Sequence, residues 1–133
     1  MSGLMHPRQA LFGFHGRMRR RDFWAYVAIF WAGYLALAAA SAIGLHLLLP
    51  FTPGRSLGIF LLAFSPIAIW VYVALHAKRL HDIGYPAIAV VRTLRPILGW
   101  IWGISECGMR EGMPGANAYG PAPMPIRTAE VFD

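Results

Sequence analysis

Residues 23–49, FWAYVAIFWAGYLALAAASAIGLHLLL, decide the fold. No Lys, Arg, Asp or Glu occurs among these roughly 27 positions, and a helix rising about 1.5 Å per residue needs only ~20 of them to cross a hydrocarbon core. The run is therefore a first membrane span. Phe23, Trp24, Tyr26, Trp31 and Tyr34 crowd its first half and alanines its second, which places an aromatic interfacial belt at its N-terminal end.

The composition agrees. Of 133 residues, 57% are hydrophobic and only 14% charged, against about a quarter charged in soluble domains, and the mean hydropathy is positive at 0.50. The net charge of +6 raises the question of nucleic acid. Five of the twelve basic residues, however, precede Phe23, and the rest flank or interrupt apolar runs, as membrane orientation signals do. The single cysteine, Cys107, excludes an intrachain disulfide and a cysteine-based metal cluster.

Outward from the first span, the chain falls into a basic interfacial segment (1–22), a helical transmembrane region (23–108) and a Gly/Pro-rich irregular tail (109–133). The first carries Arg8, Arg17, Arg19, Arg20 and Arg21 among Phe12 and Phe14, a mixture that suits the headgroup layer. Pro50, Pro53 and Gly54 end the first span, and a second apolar run, 57–75, returns across the bilayer to His76, Lys78 and Arg79. The third segment, 86–107, contains Arg92 and Arg95, with Pro96 following. If it spans, Arg92 lies roughly 9 Å past the boundary at Tyr85 and can snorkel back. If the arginines are flanks, about 13 residues or ~20 Å remain, the length of a re-entrant helix. With three spans, seven Lys and Arg share the N-terminal side, whereas Arg55, Arg110 and Arg127 face the other, so the N-terminus is cytoplasmic. A re-entrant segment moves only the tail.

Several patterns have plain readings. Arg20-Arg21 before an apolar run with Ala40-Ser41-Ala42 imitates an export signal, but the long aromatic stretch and the later apolar runs make it an uncleaved span. His76, His81 and Asp82 lack the i, i+4 histidine spacing of a helical metal site. Gly112, Gly115 and Gly120 neither follow a strand nor open a helix, so they read as turns rather than a phosphate loop. Ala36, Ala40 and Gly44 form a small-residue stripe suited to close helix packing.

Two constellations remain. Lys78-Arg79-Leu80-His81-Asp82 closes the second span on the side where Arg17, Arg20 and Asp22 open the first. Asp22 and Asp82 are the acids there, and the expected pairs are Asp82 with Arg17 and Asp22 with Arg79, leaving Arg8, Arg19 and Arg21 for lipid. In the third segment Arg92, Arg95, Gly99, Gly103, Glu106 and Arg110 fall on one helical face, a polar stripe of the kind that faces a bundle interior or a water-filled path.

Gly16-Arg17 and Arg20 leading to Phe23-Trp24, then Lys78-Arg79-Leu80-His81-Asp82 with Gly84, then Gly112, Gly115, Asn117, Tyr119-Gly120-Pro121 and Pro123 resemble the bacterial inner-membrane family catalogued as domain of unknown function 805. The likeness runs from about residue 11 to 123. It implies a small polytopic inner-membrane protein, ordinarily of three or four helices and without an established activity, and it favours a spanning third segment. The family's third segment is ordinarily apolar and Trp-rich, so Arg92 and Arg95 are departures peculiar to this chain.

The expected fold is thus all-α and polytopic, with two full spans, a third spanning or re-entrant helix, and a basic interfacial N-terminal segment. The expected role is non-enzymatic, with a cytoplasmic face that binds anionic lipid or a partner. The rival is a small transporter or channel component for an anionic solute using Arg92 and Arg95. No catalytic set, cofactor or metal is expected. The expected partners are the bilayer with its anionic headgroups and a further copy of the chain or another membrane protein, not nucleic acid.

Overall fold

The computed structural model describes residues 6–49 and 51–123. Arg127, counted above among the charges of the far side, and the end of the tail lie outside the described residues. The described chain is all-helical: α1 (Pro7–Phe12), α2 (Arg20–Leu48), α3 (Pro53–Asp82), a 3₁₀ segment (Ala87–Leu94), and α4 (Leu98–Gly103), which widens into a π-helical turn (Ile104–Met109).

The helices α2 and α3 are the two that are long and apolar enough to cross a membrane. With 29 and 30 residues they measure about 43 and 45 Å, more than the ~30 Å hydrocarbon core requires. They pack antiparallel through aromatic contacts, Phe23 against His76 at one end and Tyr34 against Phe60 further along, with ring centroids 5.2 and 5.3 Å apart. Apolar side chains such as Leu35, Leu37, Leu47, Leu62 and Ile69 stay exposed on the outside, the reverse of a water-soluble helix pair. The connection between them is tied locally, Thr52 accepting from the Arg55 amide at 3.3 Å to cap α3.

Pro66 lies inside α3. Lacking an N–H, it leaves the Leu62 carbonyl without its helical donor. The Ser65 hydroxyl donates to that same carbonyl at 3.0 Å, which is how a proline is accommodated in an apolar helix. The small-residue stripe plays a different part from the one expected: Ala38 is buried, whereas Ala36 and Ala40 are exposed. Gly44, the stripe's third member, is half-buried.

Of the two readings of 86–107, a single spanning helix or a shorter segment after Pro96, the single helix is not formed. The segment breaks at Arg95, which adopts an extended ψ of 126°, the conformation forced on a residue before proline. Ile97 then takes φ 64° and ψ −67°, closing a tight turn in which the Leu98 amide donates to the Pro96 carbonyl at 2.7 Å. The chain doubles back so closely that a Cβ on Gly99 would lie 2.5 Å from the Arg92 carbonyl oxygen. Neither arm is long: eight 3₁₀ residues extend about 16 Å, and residues 98–109 about 18 Å. Thr93 and Leu94 line one cavity with Ala68 and Tyr72 of α3, and the second arm returns to Trp24 and Arg79. The hairpin thus begins and ends at the same end of the helix pair. Its fold-back also dissolves the single polar face. Arg92 lies over the Tyr85 and Trp102 rings at 6.0 and 5.7 Å, Glu106 pairs with Arg110 at 2.6 Å, and Arg95 is exposed at the turn.

Candidate functional site: a buried cationic cap

Consecutive residues of an α-helix project about 100° apart, so five in a row cover the whole circumference. The last turn of α3, Lys78 to Asp82, carries four polar residues around the core residue Leu80, and these four address different chain segments. Lys78, fully buried, donates from Nζ to the carbonyls of Gln9 at 2.8 Å, Ala10, and Gly13 at 2.5 Å. These cluster at the end of α1, where carbonyls have no intrahelical donor. All three ammonium hydrogens are matched.

Arg79, equally buried, donates from Nε to the Cys107 carbonyl at 2.8 Å, from Nη2 to the Arg110 carbonyl, and from Nη1 to the Asp82 carboxylate and the Met18 carbonyl at 3.4 Å. It therefore holds the end of the returning arm. His81 accepts the third contact: its ring stacks on Tyr119 with centroids 4.0 Å apart and planes 5° from parallel, while its carbonyl accepts from Asn117 Nδ2 at 2.8 Å. Asn117 in turn accepts from the Tyr119 amide at 2.9 Å, shaping the turn that presents the ring.

Asp82 completes the set. Its Oδ1 accepts from Arg17 Nε at 3.0 Å, with both side chains almost wholly buried, and its backbone carbonyl accepts from the Met113 amide at 2.8 Å. Arg17 spends its remaining hydrogens on the carbonyls of Met113, Gly115 and Gly120. Gly112 lies against the Asp82 carboxylate with no room for a Cβ. The expected pairing of Arg17 with Asp82 is present.

The expected pairing of Asp22 with Arg79 is not. Asp22 lies in the first turn of α2 and pairs with Arg19 at 3.4 Å, three residues back. That partner requires no long-range closure, and the helix N-terminus already favours a carboxylate there. Arg79 is consumed by Asp82, also three residues away. Arg19 accordingly belongs to a protein ion pair rather than to lipid alone. Arg20 stands at the exposed rim, donating to the Met109 carbonyl at 3.0 Å, and Trp24, one turn on, donates to the Gly108 carbonyl at 3.0 Å.

The elements named in the sequence as a charged junction and a C-terminal turn are therefore one structure, in which Gly115, Asn117, Tyr119 and Gly120 touch Arg17 or His81. Pro121 is exposed beside them. Cys107 was not anticipated as a member, nor were the carbonyl partners of Lys78. Cys107 is fully buried, and burial pushes its thiol up to about 12. Among the described residues no group of three or more His, Cys, Asp or Glu could hold a metal ion.

A family model described as protein of unknown function (DUF805) matches residues 11–121. The chain belongs to this family. The chain is 27% identical to the inner membrane protein YhaH of Escherichia coli K12 over 112 residues, covering 84% of this chain and 87% of YhaH. It is 36% identical over 81 residues to the uncharacterized protein YiiR of the same organism, covering 60% of this chain and 48% of YiiR. No solved structure matches it.

Proposed function

We propose that this DUF805 protein is a non-enzymatic, multi-pass protein of the bacterial inner membrane, with a cytoplasmic N-terminus, whose capped end presents a basic rim to anionic headgroups. The observation that carries this reading is the internal use of the cap's chemistry. Lys78, Arg79, Arg17 and Asp82 are buried and matched to one another or to backbone carbonyls, so they build a platform rather than offer a nucleophile, base or anion hole.

Placement in the inner membrane is supported by the two long apolar helices and by the description of YhaH. Orientation is supported by charge. Arg8, Arg17, Arg19, Arg20, Arg21, Lys78, Arg79 and, after the fold-back, Arg110 gather at the capped end, against Arg55 at the other, which is the cytoplasmic bias. The hairpin at 87–109 is then a re-entrant element that enters and leaves from the cytoplasmic side. Irregular backbone at that depth requires protein partners, and Gly99 and Thr93 supply close ones.

An anion path through Arg92 and Arg95 has no comparable support. Arg92 is engaged with aromatic rings, and the cavity beside this segment is lined by Thr93 and Leu94. The test is a pair of topology reporters, one before Met1 and one after Asp133. Cytoplasmic signal from both is expected. A periplasmic signal from the C-terminal fusion alone would restore a third span, and a periplasmic signal from both would reverse the orientation.

A further inference from the structure

Arg20 and Trp24, four residues apart on α2, lie on one face of the helix and both lean on the end of the returning hairpin arm, at Met109 and Gly108. Each of the two lines a cavity. On the side of the tail, a cavity of about 220 Å³ has Arg19, Arg20 and Asp82 on its charged wall and Met113, Pro114 and Pro123 on its apolar one. On the membrane side, an apolar groove of about 320 Å³ runs from Phe23 and Trp24 past Trp31 to Trp100 and Ile104. The groove walls are open to the outside, with Trp100 65% and Ile104 55% exposed. Arg20 on the first cavity and Trp24 on the second are thus one helical turn apart on the same face of α2.

The charges around the first cavity are not balanced. Arg17, Arg19 and Arg79 surround Asp22 and Asp82 in ion pairs, and Arg20, with no carboxylate partner among the described residues, uses one hydrogen on Met109 and adds a further cation. Among these described side chains, four guanidinium groups face two carboxylates. Asp82 lines the cavity, but its charge is already matched by Arg17 and Arg79.

We propose that the seam between α2 and the hairpin arm is a binding site for a single anionic phospholipid of the cytoplasmic leaflet, its phosphate beside Arg20 and Arg19 and one acyl chain along the Trp24, Trp31 and Trp100 groove. The inference rests on the membrane placement proposed above and gives that placement a specific ligand. Zwitterionic lipid satisfies the groove but not the charge, and free phosphate satisfies the charge but not the groove. The occupant that fits both is an anionic amphiphile.

The experiment uses the full chain in nanodiscs of phosphatidylcholine containing a minor fraction of brominated lipid, which quenches tryptophan on contact. Brominated phosphatidylglycerol is expected to quench at severalfold lower mole fraction than brominated phosphatidylcholine. Arg20→Gln is expected to weaken that preference about fivefold, the share of one interfacial cation, while Cys107 stays unlabelled, showing that the cap is intact. Ile104→Phe, which narrows the groove without touching charge, is expected to lower quenching by both lipids. Equal quenching by the two lipids in the unaltered protein would overturn the site. So would a preference that survives Arg20→Gln but disappears in Arg8→Gln, since that is diffuse attraction to the N-terminal segment. Displacement of the preference by millimolar inorganic phosphate would also overturn it, in favour of a free-anion site. The topology reporters do not depend on lipid, so a failed site with intact topology is distinguishable from a failed placement.

Discussion

Replacing Asp82 by Asn removes the carboxylate between two buried guanidinium groups while preserving side-chain shape. The Arg17 and Arg79 side chains are 1% and 0% exposed and that of Asp82 is 4%, so solvent offers no compensation for the lost charge. Deleting one partner of a buried pair costs about 3–5 kcal/mol, against ~0–1 kcal/mol for a surface pair. Because Arg17 and Arg79 keep their carbonyl partners, the lower end, about 3 kcal/mol, is expected. Cys107 provides the assay: it is fully buried, its carbonyl is held by Arg79, and it is the one cysteine of the chain. Maleimide labelling of the detergent-solubilised protein therefore reports opening of the cap. A loss of ~3 kcal/mol raises labelling limited by that opening about a hundredfold. Combining Asp82→Asn with Arg17→Met should cost at least ~1 kcal/mol less than the sum of the single changes, whereas Asp22→Asn with Arg79→Met should add to within ~0.5 kcal/mol. Labelling of Asp82→Asn at the unaltered rate, or coupling in the second cycle but not the first, would refute the arrangement.

Gly112→Ala forces a methyl group into the Asp82 carboxylate and should destabilise the cap by about 1–3 kcal/mol, read as faster Cys107 labelling, while Gly33→Ala, which meets open space, should leave the rate unchanged. Ile97→Gly relieves a positive φ on a β-branched residue, a strain of order 1–3 kcal/mol, and should raise the thermal midpoint or leave it unaltered; a marked fall would mean the turn does not have this backbone. The Cys107 thiol stays protonated in the folded cap from its ordinary 9.0 up to about 12. Below pH 9 this group therefore costs no stability, and the cost grows as pH climbs above it. Labelling of the denatured chain should rise roughly fiftyfold from pH 7 to 9 with its thiolate, and native labelling, which passes through the opened cap, should stay far below it at every pH.

The parts legible in the sequence are those written in long runs or in charge order. The apolar stretches announced α2 and α3, and the scarcity of acids near the two helix ends narrowed the partners of Arg17 to few enough that Asp82 could be named. Asp22 misled because its partner is local, and a long-range reading passes over Arg19 three residues away. The third segment misled for a different reason. Pro96 marked a break, but a break does not say whether the chain continues or returns. That is decided by Gly99 admitting the Arg92 and Thr93 carbonyls and by Ile97 accepting a strained turn, neither of which has a periodic signature. Within the chain, Tyr34 and Phe60 rather than Ala36 and Ala40 make the contact between α2 and α3.

The hardest feature to read was what the basic residues do. Lys78 and Arg79 look like topogenic charges, and carbonyl acceptors are uniform along any chain, so no sequence pattern distinguishes a lysine in headgroups from one bonded to Gln9, Ala10 and Gly13. Physical accounting does distinguish them once the fold is known. The N-terminal segment, the end of the returning arm and the tail turn are short or irregular, and each therefore presents carbonyls that no helix or sheet satisfies. Packed into the cap, these oxygens are removed from water and need donors from the protein. A single rigid turn of α3 supplies them: Lys78 to the first segment, Arg79 to the second, and Asp82, through Arg17, to the third. The consecutive polar run at the end of an apolar helix is thus a consequence of geometry, since only adjacent positions on one helix point in enough directions to gather three separate irregular segments at one place.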